Sequence, residues 1–163
     1  MTDDPTDEQT DAQRVIAALI ERSWSLACGE SLTGGLVCSQ LASVPGCSAV
    51  LRGGVVAYQP EVKEQVLGVP AEVIAQGLVT AEVAAALAHG AARTLGADVG
   101  IGTTGAAGPD PHDGAPPGSA WIAVQVPGQP TVTEHIQASG ARQEVREQVA
   151  QAAIALAARL LSP

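Results

Sequence analysis

The chain has 163 residues, the size of a single domain, and a formal charge of −9 from eight Lys and Arg against seventeen Asp and Glu. That balance excludes broad binding to a nucleic-acid backbone, which needs clustered cations. Hydrophobic residues make up 46% of the chain, with no Phe, one Tyr and two Trp, so the core must be closely packed Ala, Val, Leu and Ile. Much of the negative charge sits at the start, in Asp3, Asp4, Asp7, Glu8 and Asp11, and residues 1–9 read as a disordered acidic tail ahead of one domain over 10–163. Cys28, Cys38 and Cys47 are odd in number and form no C-x-x-C pair, which reads as reduced thiols filling core space. No apolar run approaches a membrane span and the acidic start is no signal peptide, so a cytoplasmic protein without a membrane partner is expected.

Val15, Ile16, Leu19 and Ile20 repeat at helical spacing and predict an amphipathic helix from Thr10 to Arg22. A short strand at Ser25-Leu26-Ala27 follows, then the turn Gly29-Glu30-Ser31-Leu32-Thr33-Gly34-Gly35, then a helix from Leu36 to Leu41 that Val44-Pro45-Gly46 breaks. Val50 to Tyr58 reads as a strand, and Pro60 suits the first turn of a helix that runs on to Leu67. A short helix is expected over Ala71 to Gln76, and Thr80 caps a longer one from Ala81 to Leu95. Ala97 to Thr103 is an apolar strand, Gly105 to Pro117 a long loop, and Trp121–Val126 and Val132–Ile136 a hairpin with Trp24 and Trp121 as core anchors. Val145, Val149, Ala153, Leu156 and Leu160 mark a final helix. Helices alternating with strands and ending in a hairpin predict a three-layer α/β/α domain with a mixed sheet.

Ser31 lies where a strand hands over to a helix start, a place whose unpaired amides and dipole favour a nucleophile that becomes an oxyanion, or a phosphate. An ordinary N-cap serine is the alternative. Gly100-Ile101-Gly102-Thr103-Thr104-Gly105 matches G-x-G-x-x-G, but Ala106-Ala107-Gly108-Pro109 after it cannot be a helix, so the dinucleotide fingerprint fails on context. Its small residues read either as a place for a ligand to approach backbone amides or as a plain loop. Lys63 can act as a base for a serine only when neutral, and Tyr58 could orient it or relay a proton; a surface Lys63 paired with Glu61 or Glu64 is the alternative.

Arg142 and Arg146, four residues apart at the start of the last helix, oppose its dipole, which makes sense if an anion binds there or if Glu144 and Glu147 neutralise them. Asp110 or Asp113 with His135 has the chain order of a Ser-acid-His triad, although His135 sits at a strand position expected to face solvent. Asp110-Pro111-His112-Asp113 reads as a mobile polar tip rather than a metal site, and His89 as a packing or surface residue.

Together these stretches resemble the CinA C-terminal domain family, the nicotinamide-nucleotide amidohydrolases, over about Val15 to Leu160. The resemblance rests on Glu30-Ser31-Leu32-Thr33-Gly34-Gly35, Gly54-Val55-Val56-Ala57-Tyr58 with Lys63, Leu67-Gly68-Val69, Gly77-Leu78-Val79-Thr80, Thr104-Gly105-Ala106-Ala107-Gly108-Pro109, Pro117-Gly118 and Gly140-x-Arg142. It implies hydrolysis of the carboxamide of nicotinamide mononucleotide to nicotinate mononucleotide and ammonia, with no metal or organic cofactor. Ser31, Tyr58 and Lys63 are then the expected catalytic residues. Thr33, Gly34 and Gly35 are expected at the oxyanion, Thr104 and Gly105 along the pocket, and Arg142 on the phosphate. A stand-alone domain is expected, since the short tail leaves no room for the larger partner often fused to it, and a homo-oligomer, a dimer first, is the expected assembly. Some family members are inactive, so a non-catalytic nucleotide-binding or protein-interaction domain is the alternative. The chain departs from the family pattern at Leu32, where Cys is usual, at Gln59-Pro60, where Ser-Asn is usual, and at Ala141, where Asp is common.

Overall fold

The computed structural model describes residues 8–163, so all but the last two residues of the expected acidic tail lie outside the described residues. The first helix, α1 (Asp11–Arg22), starts in a capping box. Thr10 Oγ1 accepts from the Gln13 amide, and Gln13 Oε1 accepts from the Thr10 amide at 2.7 Å. The helix ends at Ser23, in the left-handed region with φ 52°. The chain then runs through β1 (Leu26–Glu30), α2 (Leu36–Ala42), β2 (Leu51–Val56), α3 (Pro60–Leu67), α4 (Ala71–Ala75), α5 (Ala81–Leu95), β3 (Val99–Gly105), β4 (Ser119–Gln125), β5 (Val132–Gln137) and α6 (Arg142–Leu161). Pro60 occupies the first turn of α3, and the Thr80 hydroxyl caps α5 by accepting from the Val83 amide.

The five strands form one sheet in the order β2-β1-β3-β4-β5. β1 is parallel to both of its neighbours, and the β3-β4-β5 pairings are antiparallel, so the sheet is mixed as expected. Leu26 and Cys28 of β1 and Val99 and Ile101 of β3 point to one face, where they join Val15, Ile16 and Leu19 of α1, Val37 and Leu41 of α2 and the apolar side of α6. Ala27 points to the other face and packs with Leu67, Val83, Leu87 and Ala91 from α3 and α5. The result is three layers. Trp24 and Trp121 are half-buried at the margins rather than central: Trp24 lies under the Arg22 guanidinium, and Trp121 meets His135 edge to face. Among the described residues no helix is long and apolar enough to cross a membrane.

Gly100 and Gly102 serve the packing of α5, not a loop and not a ligand. A Cβ on Gly100 would lie 2.1 Å from the Ala88 carbonyl oxygen, and one on Gly102 would lie 2.1 Å from that of Ala84. Gly29 on β1 faces the Leu87 carbonyl in the same way, at 2.5 Å. The backbone of α5 therefore rests directly on β1 and β3, and Ala84, Ala88 and Ala91 fill the seam. A chain without Phe reaches high packing density by this close approach. Because β1 lies between β2 and β3, its C-terminal end opens at a point where the strand order reverses, the usual place for a site in an open α/β sheet.

Gly102→Ala would have to move a helix backbone, so it is expected to cost about 1–3 kcal/mol of folding stability. The denaturant midpoint measures this, and an unchanged midpoint would contradict the packing described.

Candidate functional site

Ser31 follows directly on β1. Its amide donates to the Thr103 carbonyl at 3.0 Å, extending the β1–β3 ladder by one bond and fixing where the side chain leaves the sheet. Lys63 comes from α3, the helix that follows β2 and packs against α5, and with 1% exposure it is among the most buried side chains of the domain. Its Nζ lies 3.0 Å from Ser31 Oγ, 2.8 Å from the Ala57 carbonyl and 2.9 Å from the Tyr58 carbonyl. The surface pairing of Lys63 with Glu61 or Glu64 is thus not what the chain adopts. Lys63 takes part in neither ion pair found among the described residues.

Burial pushes the Lys63 pKa down from 10.5 to about 8. A shift of that size corresponds to roughly 3 kcal/mol against the charged form. The neutral amine has two N–H groups and one lone pair. With both N–H groups given to Ala57 and Tyr58, the lone pair is left for the Ser31 hydroxyl, the geometry a general base requires.

A cleft of about 480 Å³ opens over this pair, a volume suited to a small molecule. Ser31, Leu32, Tyr58, Gly105, residues 108–112 and Arg142 are among the residues that line it. Arg142 Nη2 donates to the Tyr58 hydroxyl at 2.8 Å, and its Nη1 donates to the Gly108 carbonyl at 2.6 Å. Tyr58 therefore reaches Lys63 through its backbone carbonyl, while its phenol belongs to Arg142. The Asp110–Asp113 segment, expected as a mobile tip, is tied into the structure instead. Asp113 Oδ2 accepts from the Leu78 amide, and His112 and Ala115 bridge to each other.

Several expected site residues are not on the cleft wall. The Gly35 amide is given to Glu30 Oε1, and the Gly34 amide to the Ser31 carbonyl. The Thr33 side chain is fully buried, its hydroxyl 2.7 Å from that of Thr103. Thr104 is also buried and donates to the Leu78 carbonyl at 2.7 Å, so it holds the Gly77–Leu78 stretch rather than facing the cleft. His135 is engaged with Ser119 at 2.8 Å, and the side chain beside Ser31 is Lys63, so the Ser-acid-His arrangement is not formed.

Two residues outside the expected set do much of the positioning. Glu30, 1% exposed, spends its carboxylate on the amides of Gly35, Val37 and Cys38. The start of α2, expected to host a substrate anion or oxyanion, thus already holds an internal one. Arg146 reaches from α6 to the carbonyls of Leu32 and Thr33, at 2.8 and 3.1 Å, and pairs with no carboxylate among the described residues. The signal for Glu30 was a carboxylate placed between a strand and a helix start; for Arg146 it was a cation against the dipole of α6.

The fold and this site define a class: a single open α/β domain with a buried serine–lysine pair at the end of its first strand. The family pattern described as CinA C-terminal domain matches residues 8–161, and the chain belongs to that family. A CinA-like protein of Frankia casuarinae is 42% identical over 149 residues, covering 91% of this chain and 34% of that protein. A relative from Geobacillus kaustophilus, named for competence-damage induction, is 43% identical over 140 residues, or 85% of this chain. The chain spans about a third of the length of these curated relatives. Among solved structures, a CinA superfamily protein of Klebsiella pneumoniae superposes with a TM-score of 0.87 at 33% identity, over 93% of this chain and 95% of that one. The Enterobacter cloacae superfamily protein gives 0.89 at 28% identity, over 99% of both chains.

The Lys63 side-chain resonances are expected to titrate with a midpoint near 8 in heteronuclear NMR. A midpoint at the ordinary lysine value of about 10.4 would contradict the buried, unpaired amine.

Proposed function

We propose that the domain hydrolyses the carboxamide of nicotinamide mononucleotide to nicotinate mononucleotide and ammonia. The observation that carries this reading is the Ser31 hydroxyl held 3.0 Å from a lysine whose pKa burial lowers to about 8. In the proposed reaction Ser31 Oγ attacks the carboxamide carbon and Lys63 takes the hydroxyl proton. The amides of Leu32 and Thr33 have no acceptor among the described residues and take the oxyanion in place of those of Gly34 and Gly35. Lys63 then passes its proton to the amide nitrogen, the C–N bond breaks and ammonia leaves. Water, losing a proton to Lys63, cleaves the acyl ester; the acid is released and Ser31 regains its hydrogen from the lysine.

Arg142 supports the phosphate assignment because it lines the cleft and its acceptors among the described residues are neutral, the Tyr58 hydroxyl and the Gly108 carbonyl. A phosphate dianion is a stronger acceptor than a phenol, so the bond to Tyr58 exchanges for one to substrate. Gly105 also lines the cleft, and so do the departures Leu32, Gln59 and Pro60, where they bear on which carboxamide fits.

Purified protein is expected to release ammonia from the mononucleotide. Ser31→Ala and Lys63→Met should each lower kcat by about 10³-fold or more while the fold is retained. Arg142→Ala should mainly raise KM. The rate should climb with pH through about 8, since the active amine is the neutral one and its fraction grows as pH rises past the pKa. Binding without turnover would overturn the enzymatic reading in favour of a non-catalytic nucleotide-binding domain, and a flat pH profile from 7 to 9 would remove Lys63 as the base.

A further inference from the structure

The turn after Ser31 has three consecutive peptide planes, and one side chain from the far end of the chain fixes two of them. Arg146 Nε donates to the Leu32 carbonyl at 2.8 Å and Nη2 donates to the Thr33 carbonyl at 3.1 Å, while Nη1 is steadied by Gln143 Oε1 at 2.7 Å. In a trans peptide the carbonyl and the next residue's N–H point in opposite directions. Holding the Leu32 carbonyl therefore sets the direction of the Thr33 N–H, and holding the Thr33 carbonyl sets that of the Gly34 N–H. The Gly34 amide in turn grips the Ser31 carbonyl at 3.0 Å, which orients the third plane and with it the Leu32 N–H.

The amides this relay leaves over are those of Leu32 and Thr33. Both residues are at least 98% buried, and neither amide has an acceptor among the described residues. Buried N–H groups without partners are rare and costly in folded proteins, so two in succession beside a buried serine need an account. The approach of the guanidinium is itself built in. A Cβ on Gly34 would lie 2.8 Å from Arg146 Nη2, and Gly34 has φ +56°, so glycine both admits the arginine and allows the turn.

We infer that Arg146 is the positioning residue for the oxyanion donors at Ser31. It holds the peptide planes so that the Leu32 and Thr33 amides stay unpaired for the negative oxygen, and its charge, neutralised by no carboxylate among the described residues, stands behind them. The inference rests on the reading of Ser31 as the nucleophile but not on the identity of the substrate. Lysine cannot replace it, because a compact ammonium lacks the planar fork that spans two carbonyls.

The test pairs two readouts on wild type, Arg146→Ala and Arg146→Lys, with thermal melting to confirm folding. One readout is kcat and KM for ammonia release from nicotinamide mononucleotide. The other is the rate at which a fluorophosphonate labels Ser31, a reaction that places a developing negative oxygen at the same amides without any pyridine nucleotide. Expected are a fall of about 30-fold or more in both kcat and labelling for Arg146→Ala with KM within about threefold, and partial recovery of both by millimolar methylguanidinium. Arg146→Lys, which keeps the charge and the stem and serves if the alanine variant does not fold, should lose at least about tenfold. Either variant keeping both rates within about threefold of wild type would overturn the inference, as would a loss carried by KM alone or one that methylguanidinium leaves unrecovered in Arg146→Ala. If wild type is labelled at Ser31 but releases no ammonia, the substrate reading fails and the labelling ratio of the variants still decides the role of Arg146. If wild type is not labelled at Ser31, both fail.

Discussion

A lysine amine buried without a counter-ion is the constraint around which this domain is arranged. Among the described residues no carboxylate neutralises Lys63; its partners there are two carbonyls and one hydroxyl. A buried ammonium in such a place is costly, and the protein answers by lowering the pKa to about 8, where the neutral amine is accessible near physiological pH. The carboxylate that could have neutralised it is close in sequence to the serine but committed elsewhere. Glu30 gives its oxygens to three amides at the start of α2, so it stabilises a helix end and leaves the amine unpaired.

The elements around the site divide the work. β1 delivers Ser31, and its pairing with β3 fixes the departure angle through the Ser31–Thr103 bond. The chain leaving β2 supplies the Ala57 and Tyr58 carbonyls, and Pro60 starts α3 at once, which brings Lys63 back over the strand end. α6 closes the arrangement from the other layer, with Arg142 lining the cleft and Arg146 on the serine turn. Beneath them α5 lies so close to the sheet that only glycine fits at 100 and 102. A thick aromatic layer is not needed there, and its absence from the composition is the visible trace of that packing.

Much of this was legible in the sequence because it is local. Thr10, Pro60 and Thr80 announce their helices, and the expected bounds of α5 match those observed, since caps act within one turn of the residues that signal them. The Ser31 turn, Lys63 and Arg142 stood out through ordered motifs. What could not be read was which distant group each polar residue would serve. The amides of Gly34 and Gly35 looked free because a helix start leaves donors unpaired, yet Glu30 and the Ser31 carbonyl claim them. Gly100-x-Gly102 reads from sequence as a ligand approach or a plain loop, because small residues give no local sign that they admit a packed helix. Arg146 reads from sequence as a partner for an anion or for Glu144 and Glu147, because carbonyl acceptors more than 110 residues away leave no local mark.

The account turns on Ser31 becoming acylated with Lys63 as the base. Acid quenching of a single turnover with nicotinamide mononucleotide, followed by mass mapping of the peptides, tests this most directly. The predicted result is the mass of the nucleotide acyl group on the Ser31 peptide in wild type and its loss in Lys63→Met. Turnover by wild type with Ser31 unmodified at every quench time, or acylation at another residue, would contradict it.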